Sequence, residues 1–254
     1  MTLDATNIVQ TNQGSTGAGV PVTSINATLG SAATLGNAVI IWMAYQPDTA
    51  IYNITASSSW GGAFSASTGG IGVRCVCTSD TTLSSFALSG SAAIVSWFVA
   101  EVSGLASTGF DLSGSTPVGI DLGSIATGFN TFNTSFDIGP TATSETADEF
   151  MTLATISMIT TGTPPAISSV TEITGGQPGT WARLGSTAAT SRSAGNTNIR
   201  LDLYSKFIDT QGQVDATVVR AASCTVTHGT TAAFKSYTVP KQQTLSRQAK
   251  DSMH

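Results

Sequence analysis

The sequence predicts an all-β protein: an antiparallel, jelly-roll-like β-sandwich of about ten strands with extended N- and C-terminal arms. Three observations carry this. Short segments rich in Val, Ile, Thr, Phe and Tyr recur along the chain, separated by clusters of Gly, Asn, Asp, Ser and Pro. Charged residues make up 10% of the 254, against about 25% in an ordinary soluble domain, so hydroxyls and amides must supply solubility. With four Glu and four Lys, the chain lacks the residues that coat exposed helices. A chain of this length buries roughly 70 to 75% of its unfolded surface and needs no metal or disulfide staple.

Residues 1–19 read as an N-terminal arm, 20–239 as the sandwich and 240–254 as a C-terminal arm. The first sandwich strand is expected at 20–29. The second, 37–46 (NAVIIWMAYQ), is a nearly continuous apolar run, as a strand covered on both faces should be. A weaker strand falls at 50–56, then 70–78 (GIGVRCVCT), then 92–102 (AAIVSWFVAEV), again almost wholly apolar. Residues 104–130 read as irregular. Strands follow at 131–138 and 150–159 (FMTLATISMI), before a second irregular stretch, 160–181, with Pro164, Pro165, Gly175, Gly176 and Pro178 and a weak strand at 170–174. Residues 182–186 form another. In 199–208, Ile199, Leu201, Leu203, Ser205 and Phe207 alternate with Arg200, Asp202, Tyr204 and Lys206, which predicts a half-buried strand. A long strand, 213–227, and a last one, 232–239, complete the set.

Net charge is −5, unevenly divided: residues 1–150 hold ten acidic groups and one basic, residues 151–254 five and nine, giving −9 and +4. In one sandwich this asymmetry is either drift in composition or a surface dipole favouring head-to-tail contact between copies. The start, MTLDATNIVQTNQG, has neither the basic end nor the apolar core of a signal peptide. No apolar run approaches the ~20 residues of a membrane span. A cytoplasmically made protein with the Ser/Thr-rich texture of extracellular β-proteins is expected of a virion component. The triplets at Asn26, Asn53 and Asn133 are then compositional. Cys75 and Cys77, two apart on one strand face, are not placed to pair with each other. They and Cys224 read as small buried hydrophobes, with a Cys224 bridge to one of them as the alternative. Zinc would want four ligands, and His228 is the sole internal histidine.

No catalytic, cofactor-binding or metal residue is assigned. Acyl transfer would have to rely on His228 or His254, and no G-x-S-x-G occurs. Glycoside hydrolysis would need two carboxylates across a cleft, and Glu101, Glu145, Asp148 and Glu149 are the available ones; the TSETADE segment reads instead as a solvated turn before a strand. Gly69, Gly70 and Gly72 precede a strand rather than a helix, so they form no phosphate cradle. Trp60 (SSSWGGAFS) and Trp181 (QPGTWARLG) lie among turn residues. Each is a candidate glycan platform or subunit contact, or else caps an open end of the core. A pI near 4.8 argues against nucleic acid as a partner. The C-terminal arm carries Lys241, Arg247 and Lys250 as candidate assembly contacts.

The order GNAVIIW, SSSWGG, GIGVRCV, AAIVSWFVAEVSGL and FDLSGS, continued by TADEFMTLATI, a tryptophan loop and a last long strand, resembles a β-sandwich module of bacteriophage virion proteins of the minor tail, tail-fibre and head-decoration type. The resemblance covers residues 20–239. It implies a structural virion component, foremost a minor tail protein, that assembles as a symmetric oligomer with copies of itself and neighbouring virion proteins. A carbohydrate-binding sandwich recognising host surface glycans, or a head-decoration protein, is the alternative.

Overall fold

In the computed structural model, residues 3–16, 21–35, 37–46, 53–54, 71–77, 85–105, 120–121, 127–130, 134–139, 149–173, 179–189, 198–210, 212–213, 215–224 and 226–236 are described. A 3-10 turn, η1 (Ala5–Asn7), leads into β1 (Ile8–Ser15), β2 (Val22–Thr28), β3 (Ala38–Gln46), β4 (Asn53–Ile54), β5 (Ile71–Cys77) and β6 (Ser85–Val102). Then come β7 (Ile120–Asp121), β8 (Thr127–Asn130), β9 (Ser135–Ile138), β10 (Glu149–Ile159), β11 (Ile167–Glu172), β12 (Ala182–Ala189), β13 (Asn198–Ile208), β14 (Ala216–Arg220) and β15 (Val226–Lys235). The protein is all-β and sandwich-like, and the strand pairings among the described residues are antiparallel.

Three sheets result among the described residues. The first runs β1-β6-β3-β5, with β2 and β4 on the first half of β6; the second runs β12-β13-β10-β15-β7, with β8 on β15; the third is β11-β14-β9. Period-2 alternation makes each of the two large sheets two-faced, and both faces are used. From β3 and β6, Ile40, Trp42, Phe98 and Ala100 meet Phe150, Ile156, Leu201, Leu203 and Phe234 of the second sheet in the principal core. Trp42 stands edge-on to Phe98 and Phe234, with centroids 5.9 and 6.4 Å apart, an arrangement aromatic quadrupoles favour. Its indole N–H donates to Thr152 Oγ1 at 3.3 Å, so the buried polar tip has an acceptor. The opposite faces of the same strands form two further cores. Val39, Ile41, Met43, Val95 and Val99 pack with Ala27, Leu29 and Ala33. Met151, Leu153, Tyr204 and Ala233 pack with Phe136, Ile138 and Val218 of the third sheet.

The second sheet is therefore covered on both sides, which overturns the expected half-burial of the 199–208 strand. The apolar row of β13 faces the first sheet, while Asp202, Tyr204 and Lys206, expected at the surface, are all buried. The RxDxYxK face looks solvated in sequence because nothing local announces a third layer above it.

The structure also corrects the N-terminal arm. Residues 8–15 form an edge strand in register with β6, from Ile8 opposite Val102 to Ser15 opposite Ser96. Its burial alternates along its whole length. A capping box opens η1 just before it, with the Asp4 carboxylate accepting from Thr6 N–H and Asn7 Oδ1 accepting from Asp4 N–H, each at 2.8 Å. Leu3 is buried in the principal core. The polar side chains of VQTNQGS hide this strand, because an edge position asks for few apolar residues. β6 begins seven residues before the expected start at 92, and its first half pairs with β2 from Val22 to Thr28. The first expected irregular stretch contains β7 and β8, the weak strand expected at 170–174 lies at Ile167–Glu172 as β11, and the strand expected over 213–227 is divided between β14 and β15, separated by 221–225. The C-terminal arm lies outside the described residues.

Candidate functional site

Ionisable groups taken out of water are costly unless partnered, so where they cluster the fold has been shaped around them. Among the described residues three clusters stand out, beside the separately buried Glu149 and Arg220. The first centres on Glu101 of β6, which has no solvent exposure. Its Oε2 accepts from Gln10 Nε2 of β1 at 2.6 Å, and its Oε1 from Thr34 N–H at 2.7 Å and Asn37 Nδ2 at 2.6 Å. Burial by itself would raise this carboxyl. The hydrogen bonds from Gln10, Thr34 and Asn37 outweigh it and hold the group below the usual glutamate range. Glu101 ties the edge strand, the turn before β3 and the sheet centre together, and its oxygens are turned to these donors.

The second cluster joins the third sheet to the second. Lys206 of β13 donates to Glu172 Oε2 of β11 at 2.7 Å, and Trp181 Nε1 donates to the same oxygen at 2.9 Å. Asp215 N–H donates to Glu172 Oε1 at 3.2 Å. The Lys206 ammonium lies 5.0 Å from the centroid of the Trp181 ring, within reach of a cation–π attraction. Burial pushes the Lys206 ammonium below its usual range, against the opposing pull of Glu172. Asp215 is pushed up, by burial first and then by the neighbouring Asp137 and Glu172 carboxylates.

The third cluster lies toward the other end of the same face. Asp202 of β13, fully buried, is held between two guanidinium groups: Arg183 Nη2 on Oδ1, and Arg200 Nε on Oδ2 at 2.9 Å. The Arg183 side chain remains 40% exposed and that of Arg200 18%.

Trp181 is buried, its N–H engaged and one face covered by Lys206, so it closes the end of the second–third sheet core rather than presenting an open stacking face. Trp60, Glu145, Asp148, Lys241, Arg247, Lys250 and His254 lie outside the described residues. Glu149 is not in a solvated turn: it is the first residue of β10, buried, in register with Lys235 and Ile208. Cys224 is buried and receives Arg220 Nη1. β5 carries Cys75 and Cys77 opposite Ile40 and Ala38, and their side chains are outside the description. Among the described residues, no group of three or more His, Cys, Asp or Glu is placed to hold a metal ion. No helix there is long and apolar enough to cross a membrane.

Glu172, Lys206, Asp202, Arg183 and Arg200 were not singled out by sequence reasoning. Their signal, a positively charged second half, was visible, but its convergence on one sheet face depends on the pairing of β12 with β13. No protein-family model, curated protein or solved structure matches the chain.

Proposed function

We propose that this protein is a structural component of a bacteriophage virion, a jelly-roll-like sandwich of minor-tail type that assembles as a symmetric oligomer. The observation that carries the reading is where the ionisable side chains go. Glu101, Lys206, Glu172 and Asp202 each link separate strands, and Lys206 with Glu172 links separate layers. Such clamps suit a protein whose task is to hold shape and bear load. The virion-like order of motifs through GNAVIIW and AAIVSWFVAEV, which form the paired strands β3 and β6, supports the same reading.

Native mass spectrometry of the purified full chain at low and high salt tests it. A discrete closed oligomer, together with detection of the chain in purified phage particles, is the expected result. A strict monomer at high concentration that is absent from particles would overturn it. The C-terminal segment 240–254 supplies assembly contacts through Lys241, Arg247 and Lys250. Deleting it should leave the melting temperature unchanged while impairing incorporation; normal incorporation of the truncated chain would refute that role. The glycan-binding alternative, among the aromatic residues, now depends on Trp60. Its check is glycan-array binding that is lost in Trp60→Ala without change in assembly.

A further inference from the structure

We propose that the Arg183–Asp202–Arg200 cluster is a binding site for an oxyanion, a carboxylate, sulfate or phosphate group, on the third-sheet side of the second sheet, where the Arg183 and Arg200 side chains remain partly exposed. Charge is the first argument. One buried carboxylate stands between two guanidinium groups, so the cluster keeps a net positive charge in a protein whose total is −5. A local positive site on an acidic molecule attracts anions selectively to that spot.

Donor geometry is the second. Arg183 uses Nη2 and Arg200 uses Nε on Asp202. Among the described residues, their remaining guanidinium N–H groups make no other hydrogen bond. Guanidinium forks are shaped for two-point contact with carboxylate, sulfate and phosphate oxygens. Asp202, buried between them, fixes the orientation of both forks, and a pre-oriented donor loses less freedom on binding.

A buried hydroxyl with no acceptor is the third. Ser157 of β10 is directly opposite Arg200 in the antiparallel register, and opposite residues share a sheet face. Its Oγ is fully buried and has no hydrogen-bond partner among the described residues, which is uncommon for a hydroxyl in a folded interior. An oxyanion drawn beneath the Arg200 guanidinium would give that hydroxyl the acceptor it lacks. The neighbouring edge strand places only small side chains beside the two arginines. Across β13, Asp202 faces Ser186 and Arg200 faces Ala188, and neither is large enough to lie over the guanidinium groups.

The test uses the full chain with ¹⁵N-labelled arginine and follows the arginine side-chain signals. Titrants are sodium sulfate, sodium phosphate, sodium glucuronate and a sulfated polysaccharide, each against sodium chloride of equal ionic strength. The expected result is a saturable shift of the Arg183 and Arg200 signals with the oxyanions and none with chloride. Arg183→Gln should weaken binding about tenfold, the loss of one charge-assisted contact of about 1.5 kcal/mol. Arg183→Lys, which keeps the charge but not the fork, should also weaken it. Ser157→Ala, which cannot unfold the site by removing an ion pair, should weaken it by a smaller factor. Saturation by free sulfate or glucuronate identifies a site for the anionic group itself, whereas saturation by the polysaccharide alone identifies the same site as reading a polymeric source. Shifts that track ionic strength only, or affinity unchanged in Arg183→Gln and Ser157→Ala, would overturn the proposal. Neither result depends on oligomeric state or on presence in particles, so this site and the virion reading fail independently.

Discussion

Buried charge in this protein is placed where strands of distant sequence must be joined, and Glu101 shows the physics most clearly. Its carboxylate accepts hydrogen bonds from Gln10, Thr34 and Asn37, all distant in sequence. Because those bonds hold the native carboxyl below its unfolded range, the unfolded chain binds the proton more readily. Its contribution is therefore fully present above the pH where an unfolded glutamate ionises, about 4.3, and disappears as pH falls through the lower native value. Urea unfolding at pH 7, 4 and 3 should show Glu101→Gln less stable by about 2 kcal/mol at pH 7, with the gap closing toward pH 3. A constant gap would mean that ionisation of Glu101 is not what the network stabilises. The sequence places Glu101 in a strongly apolar strand, WFVAEV, but reads it only as one of four available carboxylates and not as a buried one. Its partners are not legible, since Gln10 and Asn37 look like any other amide in an amide-rich sequence. At Gly185 a side chain is sterically excluded, because a Cβ there would collide with the Phe98 ring. A glycine in a strand marks such close approach, yet among 26 glycines the sequence does not say which.

Among the elements, β3, β5, β10 and β13 were legible because continuous or alternating apolar residues define a strand whatever surrounds it. β1 was not, and its case is instructive. It is an edge strand that pairs on one side with β6, carries an irregularity between Ile8 and Gln10 and leaves Val9 half exposed; bulges of this sort disrupt further edge pairing. Besides contacts to Thr28 and Ser31 from Asn12 and Gln10, it reaches the second sheet: Gln13 Oε1 accepts from Ser186 N–H at 3.0 Å and Gly14 C=O from Thr187 Oγ1 at 3.3 Å. β1 therefore closes one side of the main sandwich. Removing residues 1–16 should lower stability by about 3 kcal/mol or more, a fall in Tm of roughly 10 °C, as measured by circular dichroism melting. A dispensable arm would leave Tm unchanged. The third sheet was half legible. Val170 lay in an expected strand, but β11 begins within a Pro-rich stretch, and its alternating exposure is too polar to stand out.

At the scale of the whole molecule, the sequence predicted the class of fold but not the number of layers. Layers are set by which strand faces find cover, and cover comes from segments far away in the chain, such as β9 and β14 lying over β10 and β15. The pairings themselves are long-range: β1 joins β6, and β10 lies between β13 and β15. Loop closure must precede such contacts, so folding should be slow, in the millisecond-to-second range or beyond, for a topology of this kind. The middle sheet has a consequence of its own. β10 is buried from Glu149 to Met158, with hydrogen-bonded neighbours on both edges and a packed sheet on each face. The amide protons of β10 therefore have no local route to water. In native-state hydrogen exchange they should be the slowest in the molecule and respond to denaturant with the full slope of global unfolding. Those of β11 should exchange through a smaller opening in which the third sheet lifts off alone. If β10 and β11 exchange with one common free energy, the layers unfold as a single unit. If they separate, the molecule has a detachable outer shell around a kinetic core, and it would retain memory of its fold after losing its outer surface.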